Sequence, residues 1–139
     1  MIVADTGAVL ALLDADDRHH RSLKQVYLQD PDAWVLPWAV LPEVDYLAGI
    51  HLGRGARHAF LADLASGAFH VEWGTGTDLE RAHEIELQYA DLGFGLVDAV
   101  VLAVADRLGA RAIATLDLRH FGAVTLPTTP RLFPRDLPA

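Results

Sequence analysis

The chain opens on an apolar run that two polar residues interrupt. Met1 to Ala4 reads as a short buried strand and Gly7 to Leu13 as a helix that resumes the apolar pattern, with Asp5 and Thr6 at the junction. Polar groups in buried surroundings cost free energy unless they are paired, so these two have a task, either capping the helix or chemistry. The next segment, "DADDRHHRSLKQVYLQD", predicts a polar-faced helix with Asp16 or Asp17 as N-cap. Val26, Tyr27 and Leu28 supply its apolar contacts, and Pro31 stops it.

"AWVLP" predicts a second strand and Ala39 to Ile50 a second inward-facing helix. Phe60, Leu61 and Leu64 recur at helical spacing within a helix from Ala56 to Leu64 that Gly67 closes. "FHVEW" alternates as a strand does. Thr77 and Glu80 have capping-box spacing at the head of a helix running to about Tyr89, with Gly93 and Gly95 ending that unit. "VDAVVLAVADRLG" is apolar on nearly every side, which predicts a central helix covered by neighbours, with Gly109 beyond its end. "RAIAT" then predicts a strand, "LDLRHF" a turn or short helix, and "AVTL" the last strand. Residues 1–126 form one domain on this reading, and 127–139 a proline-rich tail. Strands alternating with helices give a parallel sheet covered on both faces, whose ligands collect at the carboxyl ends of the strands.

Composition narrows the chemistry. A chain of 139 residues, 52% hydrophobic, is long enough to bury a core without staples. Its mean hydropathy is +0.22, as expected of a globular domain. The apolar runs are too short to cross a bilayer, and the first residues lack the pattern of a secretory signal, so the expected location is the cytoplasm. With no cysteine, thiol nucleophiles and thiolate metal sites are excluded, and any metal takes oxygen or imidazole ligands. Eleven basic against nineteen acidic residues give a net charge of −8, which opposes general attraction to a polyanion.

That excess of acid directs attention to the carboxylates. Asp5 follows the first strand, and Asp117 stands two positions past Thr115 at the end of "RAIAT". Glu43 lies in the first turn of the second inward-facing helix, and Asp98 opens the central helix. Singly, each has an ordinary reading as a helix cap, a first-turn acid or a turn residue. Jointly they fall on one edge of a parallel sheet. Each pair of carboxylates at 4 Å repels by about 1 to 4 kcal/mol, so the group needs protons or a cation. Hard oxygen donors without thiolates select Mg²⁺ or Mn²⁺, ions that also take substrate phosphate oxygens.

Taken in order, "VADTGAVLALLD", "LPWAVLPEVDYLA" and "GLVDAVVLAVADRLGARAIATLDLRHF" resemble the PIN-domain ribonucleases, and most of all the VapC toxins of bacterial toxin–antitoxin pairs. The resemblance covers residues 1 to about 126. It implies a three-layer α/β/α fold around a parallel sheet of four or five strands, and an endoribonuclease dependent on Mg²⁺ or Mn²⁺ whose products carry a 5′ phosphate and a 3′ hydroxyl. It implies a catalytic set of Asp5, Glu43, Asp98 and Asp117, with Asp5, Asp98 and Asp117 as metal ligands. Thr6 and Thr115 are then hydroxyl neighbours that orient a carboxylate or water. It further implies a small antitoxin partner whose tail covers the acidic groove, and a homodimer.

One departure concerns the positions after Asp117. Some relatives carry a further acid there, whereas this chain has Leu118, Arg119 and His120, which puts a second tightly bound metal in doubt. Arg119 and His120 are candidates for contact with RNA phosphate, as are Arg54, Arg57, Arg107 and Arg111, while His120 has an equal claim to a packing role beside Phe121. His19 and His20 lack metal-ligand spacing and read as solvated. Trp34, Trp38 and Trp73 read as core or interface residues. The alternative to an enzyme is a noncatalytic PIN-like module that binds an antitoxin or RNA. A phosphotransfer receiver is disfavoured because the lone lysine, Lys24, is far from the late strand such a protein requires.

Overall fold

Buried strands set the architecture. In the computed structural model, which describes residues 1–138, β1 (Ile2–Ala4), β2 (Trp34–Pro37) and β4 (Ala112–Ala114) are buried at every position. A strand without an exposed side belongs in a sheet covered on both faces, which explains why these segments read as continuous apolar runs. The more exposed β3 (His70–Glu72) and β5 (Arg131–Phe133) form the edges. The five strands are parallel, in the order β3-β2-β1-β4-β5.

Helices α1 (Thr6–Leu13) and α2 (His20–Gln29) connect β1 to β2, and α3 (Val40–His51) and α4 (Arg54–Ser66) connect β2 to β3. The chain then steps back across the sheet through α5 (Gly76–Gln88) and α6 (Leu96–Leu108) to β4, and α7 (Leu118–Phe121) leads to β5. Right-handed crossovers that step in opposite directions put their helices on opposite faces. The result is the expected three-layer α/β/α arrangement, with five strands. Helix α6 is the centre of one layer: every residue from Ala99 to Ala105 is buried. Each of its larger apolar side chains, such as Leu102, contributes about 1.5 to 3 kcal/mol by leaving water. Gly109, left-handed at φ 59°, ends the helix as expected.

Four local expectations require correction. The last strand is Arg131–Phe133, inside the segment read as a tail, and Ala123–Leu126 is irregular. The capping pair at the head of α5 is Thr75 with Asp78, one pair upstream of Thr77 and Glu80: the Thr75 N–H donates to Asp78 Oδ2 at 3.0 Å. Helix α2 begins at His20 with His19 as N-cap, while Asp17 accepts from the His19 N–H at 2.7 Å in the preceding turn. Its buried contacts are Leu23 and Val26, and Leu28 faces solvent. Of the tryptophans, Trp34 is in the core and Trp73 is exposed. Among the described residues no helix is long and apolar enough to cross a membrane.

Candidate active site

The strand order reverses direction at the β1/β4 pair. Chain segments leaving the carboxyl ends of these two strands diverge to opposite faces and leave a crevice between them, the usual ligand position in an open parallel sheet. Asp5 sits at the end of β1, where its N–H continues the ladder to Ala114 O at 3.0 Å. It is also the N-cap of α1, accepting from the Ala8 N–H at 2.9 Å. Thr115 sits at the matching end of β4, and its N–H donates to Phe133 O at 2.9 Å. The short edge strand β5 therefore fixes the position of Thr115.

The Thr115 hydroxyl is a fully buried link. It donates to Asp5 Oδ2 and accepts from the Asp117 N–H at 3.0 Å, so one side chain ties the acid after β1 to the backbone of the acid after β4. Asp117 Oδ1 in turn caps α7 by accepting from the His120 N–H at 3.1 Å, which leaves Oδ2 facing the crevice. Asp98 arrives from the other side in the first turn of α6, whose start is set by Gly95 at φ 82°, a conformation other residues adopt only with strain. Glu43 comes from the first turn of α3.

Asp5, Thr6, Glu43, Asp98 and Asp117 thus line one cleft, with Leu10, Leu47 and Leu116 as its apolar wall. The four acids singled out in the sequence line this one cleft, with Asp5 and Glu43 outside the closer cluster of ligand atoms to which Asp98 and Asp117 belong. Among the described residues no arginine or lysine forms an ion pair with any of them. Burial pushes the Asp5 carboxyl up to about 7; its hydrogen bonds from Thr115 and Ala8 oppose the rise, and the charges of Asp98 and Asp117 add to it. Burial also raises Asp98, helped by the charges of Asp117 and Glu43 and opposed by His120.

His120 is the residue whose place the sequence did not fix. Its ring packs edge-on against Phe94, with centroids 5.3 Å apart, rather than beside Phe121. Its Nδ1 lies 2.9 Å from Asp117 Oδ2 and 3.3 Å from Asp98 Oδ2. Neither contact has hydrogen-bond alignment, and the nitrogen is buried. The signal available in the sequence was the i,i+3 spacing from Asp117 on one short helix. Asp98, Asp117 and His120 each offer a ligand atom, all within 4.8 Å of one another. Hard oxygens plus an imidazole, and buried polar atoms without partners at His120 Nδ1 and Thr6 Oγ1, are a donor set that fits a divalent cation.

Three of the five candidate arginines have partners within the chain. Arg107 forms an ion pair with Asp78 at 2.6 Å and Glu72 at 2.8 Å, Arg57 approaches Asp45 at 3.7 Å, and Arg111 lies over the Phe133 ring. Arg54 and Arg119 are exposed. The Nδ1 of His20, read as a solvated residue, lies 2.8 Å from Ala11 O in a half-buried contact.

The PIN domain family model matches residues 2–125. The chain belongs to the PIN domain family. Within it, the chain is 36% identical over 123 residues to the ribonuclease VapC26 of Mycobacterium tuberculosis, a match covering 88% of this chain and 91% of the relative. Among solved structures, it superposes on the sarcin-ricin loop cleaving toxin VapC20 of the same organism with a TM-score of 0.77 at 25% identity, covering 90% of this chain and 97% of that one. The fold is also that of a toxin–antitoxin complex from Klebsiella pneumoniae, with a TM-score of 0.66 at 20% identity over 92% of this chain and 94% of that one. This PIN domain is therefore a homologue of the VapC ribonuclease toxins.

Proposed function

We propose that this PIN domain is a Mg²⁺- or Mn²⁺-dependent endoribonuclease acting as the toxin of a toxin–antitoxin pair. The observation that carries the reading is the convergence of Asp5, Glu43, Asp98 and Asp117 on one cleft at the strand switch point, without an arginine or lysine to neutralise them. The similarity to a named ribonuclease and to an RNA-cleaving toxin supports RNA as the substrate.

Asp5, Asp98 and Asp117 hold the ion in this reading. When bound, a divalent cation supplies positive charge to a nonbridging phosphate oxygen and to the attacking water, stabilising the charge that develops in in-line hydrolysis. The residues of the chain do the rest. Thr115 holds Asp5 and the Asp117 backbone in register, so the two carboxylates face the cleft before substrate arrives. Glu43, in the first turn of α3, orients the nucleophilic water and accepts its proton. Thr6 Oγ1, buried without a partner, is available to a water or phosphate oxygen. Leu10, Leu47 and Leu116 lower the local dielectric and so strengthen each of these interactions. Exposed Arg119, two residues past Asp117, contacts RNA phosphate.

The partner on this reading is a small antitoxin that inserts a basic side chain between the carboxylates and so takes the place of the cation. Toxin–antitoxin complexes among the solved structures with this fold support it. The working form is a homodimer in the cytoplasm. The test is incubation of the purified, antitoxin-free chain with total cellular RNA in Mg²⁺, Mn²⁺ or EDTA, beside Asp5→Asn and Asp98→Asn. Discrete fragments that need the metal and vanish in both variants are expected. Metal bound by folded protein with products unchanged by either substitution would reject catalysis at this cleft and favour a binding module.

A further inference from the structure

Resting on the metal-site reading above, we propose that His120 is itself a metal ligand through Nδ1, making the centre a mixed carboxylate–imidazole site rather than an all-oxygen one. Three observations converge on this assignment. First, the separations suit shared coordination. Two donors at right angles about an ion roughly 2.1 Å away stand about 3 Å apart, and His120 Nδ1 lies 2.9 Å from Asp117 Oδ2 and 3.3 Å from Asp98 Oδ2. Second, the nitrogen is buried, and both close approaches fall outside regular hydrogen-bond geometry. A buried imidazole nitrogen held that close to two carboxylates without hydrogen-bond alignment lacks the partner it needs.

Third, the ring is positioned independently of those carboxylate oxygens. Phe94, itself buried and in edge contact with Tyr89, packs against the imidazole at 5.3 Å, and the His120 N–H is bound to Asp117 Oδ1 rather than Oδ2. Packing from the loop before α6 and capping within α7 therefore deliver Nδ1 to the same point as Oδ2 of both acids. An imidazole strengthens binding of Mn²⁺ relative to Mg²⁺, because Mg²⁺ prefers oxygen ligands.

The test is spectroscopic. The full chain is loaded with Mn²⁺ and studied by electron spin echo envelope modulation, which reads ¹⁴N bound to the ion. Coupling from a coordinated imidazole is expected in the wild type, shifting to the ¹⁵N pattern when histidine alone is ¹⁵N-labelled and disappearing in His120→Asn. Asparagine places an amide near the Nδ1 position, so this variant is expected to lose roughly tenfold in Mn²⁺ affinity and less in Mg²⁺ affinity. His120→Ala serves as the second variant if His120→Asn does not fold. Bound Mn²⁺ without nitrogen coupling in the wild type, or coupling that persists in a folded His120 variant, overturns the assignment and leaves the carboxylate centre standing. Failure of the wild type to take up Mn²⁺ overturns both.

Discussion

Asp5 and Asp78 occupy similar positions in opposite circumstances. Each lies at the N-terminal end of a helix, and each is nearly inaccessible, at 6% and 2% exposure. Asp78 receives two hydrogen bonds from Arg107, at 2.6 and 3.0 Å, and Arg107 also reaches Glu72 at 2.8 Å. That cluster carries its own cation. Asp5 has only the Ala8 N–H and the Thr115 hydroxyl, with two further carboxylates close enough to raise its pKa. A fold that supplies an arginine to one buried acid and withholds any cation from another has left the second incomplete. Buried charge is costly unless paired, so Asp5 is completed either by a proton, as its raised pKa favours, or, on the proposed reading, by a cation from outside the chain.

Substitutions that remove one charge from each cluster sharpen the contrast. Asp5→Asn is expected to reduce RNA cleavage at least about a hundredfold, the scale for losing stabilisation of transition-state charge. Its melting temperature should match or exceed that of the metal-free wild type, since a repelled carboxylate has been removed. Asp78→Asn should do the reverse. It leaves Arg107 with a weaker partner and costs about 2 kcal/mol in chemical denaturation, with metal binding and turnover of the folded fraction unchanged. An Asp78→Asn chain as stable as the wild type would break the comparison.

A graded effect follows from pH. In EDTA the folded state holds a proton on Asp5 up to about pH 7, whereas the unfolded chain releases it near 3.8. The folded state binds more protons across that window, so stability falls as pH rises from about 4 to 7. The raised Asp98 acts in the same direction. Urea denaturation across that range should show this decline, flattened in Asp5→Asn and abolished by saturating Mn²⁺. The smallest effect belongs to an ordinary surface pair. Arg57 and Asp45 are 3.7 Å apart and both well exposed, and Arg57→Gln should change stability by under about 0.5 kcal/mol.

The contrast also marks what the sequence discloses. Asp5, Glu43, Asp98 and Asp117 were legible because strand ends and helix starts share one edge of a parallel sheet, a rule of topology rather than of contact. Helix α6 was legible because its apolar residues leave almost no polar side. The partners of the charges were not: periodicity says nothing of whether Arg107 meets Asp78 or an RNA phosphate, since that depends on the packing of α5 against α6. Likewise "TGTDLE" holds two overlapping capping patterns, and the left-handed Gly74 at φ 81° directs the chain so that Thr75 is the cap. Strand β5 was missed because three residues among prolines have no period to read. Its identity comes from pairing with β4, at Ala112 with Arg131, Ile113 with Leu132 and Ala114 with Phe133.

Calorimetric titration of Mg²⁺ and Mn²⁺ into metal-free wild type, Asp98→Asn and Asp78→Asn tests the central claim most directly. A saturable site is predicted in the wild type and in Asp78→Asn, with binding weakened at least about tenfold in Asp98→Asn. Equal binding by wild type and Asp98→Asn, or none by any of the three, would contradict the claim that the carboxylate cleft is completed by a metal ion.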